Sequence, residues 1–199
     1  MDKNSKQKFF KRNGAIFHRD IKSSNILLDE NYRAVISDFV LSRSVPIDKT
    51  HLTTLVGGTF GDLDPEYFRS RQLNDKSDVY AFGVVLAELL TGQQAVSSKT
   101  DVGLVLRFRS AIKENSLFGI LEKRIATEGP EEEILAVAKL AKRCLKLSAR
   151  KRPCMKEVEA ELDGLTRIKE HKICQQTSRD TSCSISDRSF SWTNETLGR

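Results

Sequence analysis

Apolar residues recur in two different rhythms along the chain. Between residues 26 and 36 they form two short runs, Ile26–Leu28 and Ala34–Ile36, divided by Asp29-Glu30-Asn31. Such runs around a polar break suit two short strands joined by a turn. After residue 75 the spacing becomes helical. Val79 to Leu90 is apolar nearly all round, which predicts a helix in the middle of the fold, with Ser77 or Asp75 as its N-cap and Gly92 at its C-terminal end. A second helix is predicted over Val102–Lys113. A third, over Glu131–Leu147, sets Ile134, Val137, Ala138, Ala141 and Leu145 on one face and Lys139, Lys142, Arg143 and Lys146 on another. A fourth carries Met155, Val158, Leu162, Leu165 and Ile168 at helical spacing. Neither rhythm holds from Asp38 to Pro65, where Thr and Gly are frequent. A long irregular segment inside a compact domain is usually functional. Residues 1–14 are polar and basic around Phe9-Phe10, and the Ser/Thr-rich stretch from Gln175 is expected to be disordered.

A length of 199 residues suits one domain of ordinary size. With 39% hydrophobic and 30% charged residues, the chain reads as globular rather than disordered throughout. The formal net charge of +6 would favour nucleic acid or an anionic membrane if it formed a patch. It is partly local instead, because Lys3, Lys6, Lys8, Lys11 and Arg12 crowd the start. That cluster predicts at most weak membrane-surface contact, and no nucleic-acid partner is expected. Cys144, Cys154, Cys174 and Cys183 show no metal or disulfide spacing, so a reducing compartment is expected. The longest apolar run contains Glu88 and is shorter than the roughly 20 residues a membrane span needs.

The chemistry concentrates in His18-Arg19-Asp20-Ile21-Lys22-Ser23-Ser24-Asn25, which fits the pattern H-R-D-x-x-x-x-N. Phosphoryl transfer to a hydroxyl needs a carboxylate beside the attacking oxygen, which Asp20 supplies. It needs a cation near the moving phosphate, which Lys22 supplies. It needs oxygen ligands for Mg²⁺, which the Asn25 amide and a second carboxylate supply. That carboxylate should follow a short hairpin, and Asp38, in Ser37-Asp38-Phe39-Val40, stands there. Further matches come in order: Gly58-Thr59, Asp64-Pro65-Glu66, Asp78-Val79-Tyr80-Ala81-Phe82-Gly83, and Arg152-Pro153.

This series resembles plant receptor-like kinases, and most closely wall-associated receptor kinases. His18 to Gly92 carries the resemblance almost residue for residue, including Thr50-His51-Leu52-Thr53-Thr54-Leu55 and Gly58-Thr59-Phe60-Gly61; it continues more loosely to about Arg167. The resemblance implies a mainly α fold, the C-terminal lobe of a protein kinase, incomplete, with a small β-hairpin carrying the Mg²⁺ ligands. It implies a Ser/Thr kinase (a transferase) with ATP and Mg²⁺ as cofactors, and protein substrates or intact receptor-like kinases as partners. Asp20, Lys22 and Asn25 become catalytic residues, Lys22, Asn25 and Asp38 cofactor-binding residues, and Asn25 and Asp38 metal ligands. Arg19 becomes a docking point for a phosphothreonine, with Thr53, Thr54 and Thr59 as acceptors, although Thr59 more closely fits a contact to Asp20. His18 and Asp78 read as scaffold, and Glu66 with Arg152 as a buried ion pair.

Lys6-Gln7-Lys8-Phe9-Phe10-Lys11-Arg12-Asn13-Gly14 resembles the family's cytoplasmic juxtamembrane segment, yet it runs straight into Ala15-Ile16-Phe17-His18. The expected organisation is therefore a basic segment over 1–14, a truncated kinase domain over 15–170, and a tail over 171–199. The sequence contains neither G-x-G-x-x-G nor V-A-I-K, so little or no activity is expected of this chain alone. Also expected is apolar surface left uncovered on Val79–Leu90. Intact relatives sit in the plasma membrane; a chain like this one would be cytoplasmic. Two substitutions stand out: Val40 in place of the glycine of D-F-G, expected to bias the loop away from metal binding, and Asp62 in place of an aromatic residue, expected to disturb the substrate-facing loop.

Overall fold

The computed structural model describes residues 15–46, 49–59, 61–95 and 103–167. The expectations for segments 1–14 and 171–199 lie outside the described residues. The chain divides into two units, Met1–Glu161 and Leu162–Arg199, and the site belongs to the first.

In chain order the elements are strands β1 (Ala15–Phe17), β2 (Ile26–Leu28), β3 (Ala34–Ile36), β4 (Arg43–Val45) and β5 (Leu52–Thr53), helix α1 (Pro65–Ser70), strand β6 (Gln72–Leu73), and helices α2 (Asp75–Thr91), α3 (Leu104–Lys113), α4 (Lys123–Glu128) and α5 (Glu131–Cys144). Residues 155–167 are helical too. The architecture is mainly α, as the resemblance implied. The strands form three antiparallel pairs, β1–β4, β2–β3 and β5–β6. Ile26 pairs with Ile36, Leu27 with Val35 and Leu28 with Ala34, so the predicted hairpin is present.

Helix α2 is the centre. Its N-cap is Asn74, whose side chain accepts from Lys76 N, rather than Ser77 or Asp75. The extended backbone of Asn74 lets its amide oxygen reach that donor, and the Ser77 hydroxyl is used elsewhere, donating to Asp64 Oδ2 at 3.0 Å. Gly92 closes the helix in the left-handed region at φ 65°. Helix α5 crosses α2 at Gly83, where a side chain would come within 2.7 Å of Cys144 Cβ. Helices α5 and α3 pack on α2, and Val79, Val84, Leu86, Ala87 and Leu90 are buried, while Val85 and Ala81 pack with Ile21 of the loop after β1. The uncovered apolar surface expected on this helix is therefore reduced to Leu89 among its large side chains. Helix α5 stops three residues before the predicted Leu147: Leu145 N still bonds the Ala141 carbonyl in the helical pattern, but Lys146 N bonds Arg143, three residues back, and tightens the chain out of the helix. The short helices α1 and α4 lacked enough turns to show a period.

Candidate active site

Strand β1 delivers the chain into residues 18–25 above the first turn of α2. Asp78, on that turn, accepts from His18 N at 2.7 Å and from Arg19 N at 2.9 Å. Burial pushes the Asp78 carboxyl up, and the two backbone donors only partly offset it. The bonds hold Arg19 at φ 72°, a conformation that non-glycine residues seldom adopt. The Arg19 guanidinium donates to the Leu41 carbonyl at 3.1 Å, the Leu55 carbonyl at 2.8 Å and the Tyr67 hydroxyl at 2.9 Å. One side chain thus gathers the turn after Asp38, the Thr-rich segment and α1.

His18 ties the catalytic loop to the hairpin. Its Nδ1 accepts from Asp20 N at 3.3 Å, which leaves Nε2 to donate to the Ser37 carbonyl at 2.9 Å. Its ring meets the edge of Phe39 at a centroid distance of 4.6 Å. Ser37 returns the link, donating through N and Oγ to the Asn25 carbonyl at 2.8 and 2.9 Å.

Asp20 is the convergence point. Thr59 Oγ1 donates to its Oδ1 at 2.7 Å. Lys22 Nζ lies 3.0 Å from its Oδ2 and donates to Thr59 Oγ1 at 3.0 Å. Asn25 Nδ2 reaches both the Asp20 carbonyl, at 2.9 Å, and Oδ2, at 3.2 Å. Burial pushes the carboxyl up, but the hydrogen bonds from Thr59, Lys22 and Asn25 outweigh it, and the pKa falls below the ordinary aspartate value. Asp20 is therefore an ionised carboxylate at neutral pH, already wired to a hydroxyl and a cation.

Asp38 stands at the end of the hairpin in the left-handed region, φ 60° and ψ 65°. Its side chain makes no hydrogen bond or ion pair with any described residue. Phe39, Val40 and Leu41 form a short 3-10 turn, and the positive φ falls on Asp38 rather than Val40. Valine is therefore compatible with this turn, and the expected bias at Val40 has no backbone cause here. The donor set fits Mg²⁺: an unpaired carboxylate and an amide oxygen, Asn25 Oδ1, left over after its nitrogen is used, are hard oxygen ligands.

Gly58 lets the Thr-rich segment come close. At φ 135°, a side chain there would lie 2.9 Å from the Arg19 carbonyl, and the approach places Thr59 on Asp20. Thr53 pairs with Gln72 between β5 and β6, and Thr54 follows it. Asp62 points inward at 8% exposure, with Oδ1 lacking a partner. Burial foremost, then Glu88 and Asp20, pushes its carboxyl up to about 7.

The ion pair expected between Glu66 and Arg152 is made by Asp64 instead. Asp64 caps α1, accepting from Glu66 N at 2.9 Å through the same Oδ1 that meets Arg152 Nη2 at 2.6 Å, both side chains fully buried. Glu66, one step into the helix, is turned away and accepts from Ala149 N. Arg152 further donates to the Lys146, Leu147 and Lys76 carbonyls and lies over the Tyr80 ring at 4.9 Å. His18, Arg19, Asp20, Lys22, Asn25, Thr59 and Asp78 are thus brought together and Asp38 joins them through Ser37, whereas Glu66, in α1, and Arg152 stand apart from them. Asp64 and Tyr67 were missed as site scaffold; the Asp-Pro pair before a helix was the available signal for Asp64.

Residues 8–162 match the family described as protein tyrosine and serine/threonine kinase. The chain belongs to that kinase family. It is 57% identical over 153 residues to wall-associated receptor kinase-like 1 of Arabidopsis thaliana, covering 75% of this chain and 21% of the relative. Putative wall-associated receptor kinase-like 11 of the same plant is 51% identical over 162 residues, 79% of this chain and 21% of the relative. The kinase chain thus spans about a fifth of the length of the curated relatives it matches, and among its described residues no helix is long and apolar enough to cross a membrane.

Proposed function

We propose that this chain carries the phosphotransfer residues of a receptor-like Ser/Thr protein kinase acting on protein hydroxyls at the cytoplasmic face of the plasma membrane. The observation that carries the reading is the Thr59–Asp20–Lys22–Asn25 network. Asp20, ionised and oriented, takes up the hydroxyl proton of a substrate Ser or Thr. Lys22 places a cation beside it for the transferring phosphate, and Thr59 fixes their spacing. Asn25 and Asp38 would hold Mg²⁺, which neutralises phosphate charge on ATP when bound. Arg19 and the neighbouring Thr53 and Thr54 form the regulatory part of the reading.

By itself the chain transfers phosphate slowly, because its sequence offers no glycine-rich loop or β-strand lysine to hold the triphosphate in line. The test is transfer of labelled phosphate from Mg-ATP to a Ser/Thr peptide by the 199-residue chain, with Asp20→Asn as comparison. A trace activity abolished by Asp20→Asn is expected. Turnover near the ordinary kinase range of about 1–100 per second would overturn the slow-transfer claim, and activity insensitive to Asp20→Asn would overturn the site.

A second reading is favoured by the exposed apolar hairpin: Leu27, Leu28, Val35, Phe39 and Val40 are each more than half exposed. Such a surface suits a non-catalytic module that binds intact relatives. Co-precipitation with an intact relative, lost in Leu27→Lys/Val35→Lys, would support it.

A further inference from the structure

Away from the proposed phosphotransfer site, the end of α3, the turn after it and one face of α5 line a half-open cavity of about 640 Å³. Its apolar lining is Ile112, Leu117, Phe118, Leu135 and Ala138. Asn115, left-handed at φ 55°, turns the chain sharply after α3 and sets Leu117 and Phe118 against the face of α5. On α5, Glu131, Leu135, Ala138 and Lys142 recur at steps of three and four, with Lys139 beside them, so one helix face forms a wall of the cavity. That wall is charge-polarised. Glu131 sits at one end and Lys139 and Lys142 at the other, roughly 12–17 Å apart at about 1.5 Å per residue.

Arg143 also borders the cavity, but its guanidinium is taken by Glu161, at 2.6 and 2.9 Å. Lys139 and Lys142 make no hydrogen bond or ion pair with any described residue. Cations in the last turn of a helix suit its dipole, which accounts for Lys142 and Arg143. It does not account for Lys139, which precedes that turn, nor for the apolar cavity beneath. A mostly apolar concavity of roughly 300–1,000 Å³ with a few converging polar groups is the usual form of a small-ligand site.

We propose that this cavity binds a small amphiphilic organic anion, its apolar body on Leu117, Phe118 and Leu135 and its acid head on Lys139 and Lys142. The charge pattern selects the sign: an acid is drawn to the two ammonium groups of Lys139 and Lys142, whereas a neutral analogue keeps only the apolar contacts. None of Asp20, Lys22, Asn25 or Asp38 lines it, so the inference does not depend on the phosphotransfer reading.

The test uses the 199-residue chain and the fluorescent probe 11-(dansylamino)undecanoic acid, compared with its methyl ester. The acid is expected to bind saturably, about tenfold tighter than the ester, as suits a charge-assisted head contact. Lys139→Glu/Lys142→Glu should remove that preference and leave the ester unaffected, and Leu135→Trp, which fills the cavity, should weaken both. Should the charge reversal alter the far-UV spectrum, Lys139→Gln/Lys142→Gln carries the same expectation at about threefold. Equal binding of acid and ester overturns the proposal, as does indifference to the lysine variants. A probe signal that persists through the thermal melt overturns it too, because it then reports exposed apolar surface rather than a formed cavity.

Discussion

Two neighbouring parts of the site reverse the usual order of burial. In the catalytic loop and beneath it, polar groups are inside: His18, Arg19, Asp20, Asn25, Asp64 and Arg152 are all less than 9% exposed. On the hairpin that presents Asp38, apolar groups are outside, with Leu27 at 55%, Leu28 at 63% and Val35 at 51%, and Val40 just beyond Asp38 at 81%. Buried polar groups persist only where partners satisfy them, and here nearly every one has a bonded partner within the chain. A two-stranded hairpin has no such support and is marginal in water by itself. One half of the site is fixed from within and carries Asp20, the proposed catalytic carboxylate; the other is softer and carries Asp38, the proposed metal ligand. Contacts join them from His18 to the Ser37 carbonyl, from Ser37 to the Asn25 carbonyl, from Arg19 to the Leu41 carbonyl, and from the His18 ring to the edge of Phe39.

The hardest blow to the fixed half is Arg152→Ala. It leaves the fully buried Asp64 carboxylate without its cation and frees three carbonyls that Arg152 now satisfies. Removing one partner of such a pair destabilises by about 3–5 kcal/mol. The urea midpoint should fall accordingly. A loss under about 1 kcal/mol would mean that the pair behaves as a surface contact and does not anchor the loop.

The two halves also differ in how far they could be read from the sequence. The hairpin and α2 follow from local apolar rhythm, and the gathering of Asp20, Lys22 and Asn25 follows from one ordered motif, with Asp38 placed by the hairpin after it. Pairings between distant segments left no such trace. β1 with β4, and β5 with β6, are two or three residues long, too short for alternation to show. The partner of Arg152 was misplaced by two residues, because whether Asp64 or Glu66 faces it depends on which of them caps α1. The inward turn of Asp62 depends on tertiary closure over α2, which no local pattern encodes.

Asp62 gives the next largest effect and tests the fixed half through pH. Its folded pKa is about 7 against 3.8 for the free side chain. Between those values the folded state holds a proton that the unfolded state releases, so the contribution of Asp62 to stability is fully present below about pH 4 and is lost as pH rises through about 7. An unpartnered buried carboxyl corresponds to roughly 1–3 kcal/mol. Asp78, also shifted upward by burial, adds slope of the same sign. Urea midpoints at pH 5 and pH 8 should differ in that direction, and Asp62→Asn should flatten the difference; an unchanged slope in the variant would place its origin elsewhere.

A smaller effect is expected from Thr59→Val, which deletes the hydroxyl that bridges Asp20 and Lys22. Stability should fall by about 1 kcal/mol. The sharper readout is the Asp20 carboxyl in a carbon-detected NMR titration. Burial already pushes it up, so losing the foremost opposing hydrogen bond should raise its pKa. A pKa that stays put would assign the depression to Lys22 and Asn25 alone.

The smallest effect on stability should come from the softer half. Leu27 and Val35 face each other across β2 and β3 and are 55% and 51% exposed. Leu27→Lys/Val35→Glu, made as a pair so that the two new charges are opposite in sign across the strands, should therefore change the urea midpoint by no more than about 0.5 kcal/mol. Truncating fully buried side chains of the same size would instead remove about 2–5 kcal/mol, so the two outcomes are well separated. A loss in that higher range would show that the hairpin is packed in solution, and the division of the site into a fixed and a soft half would fail with it.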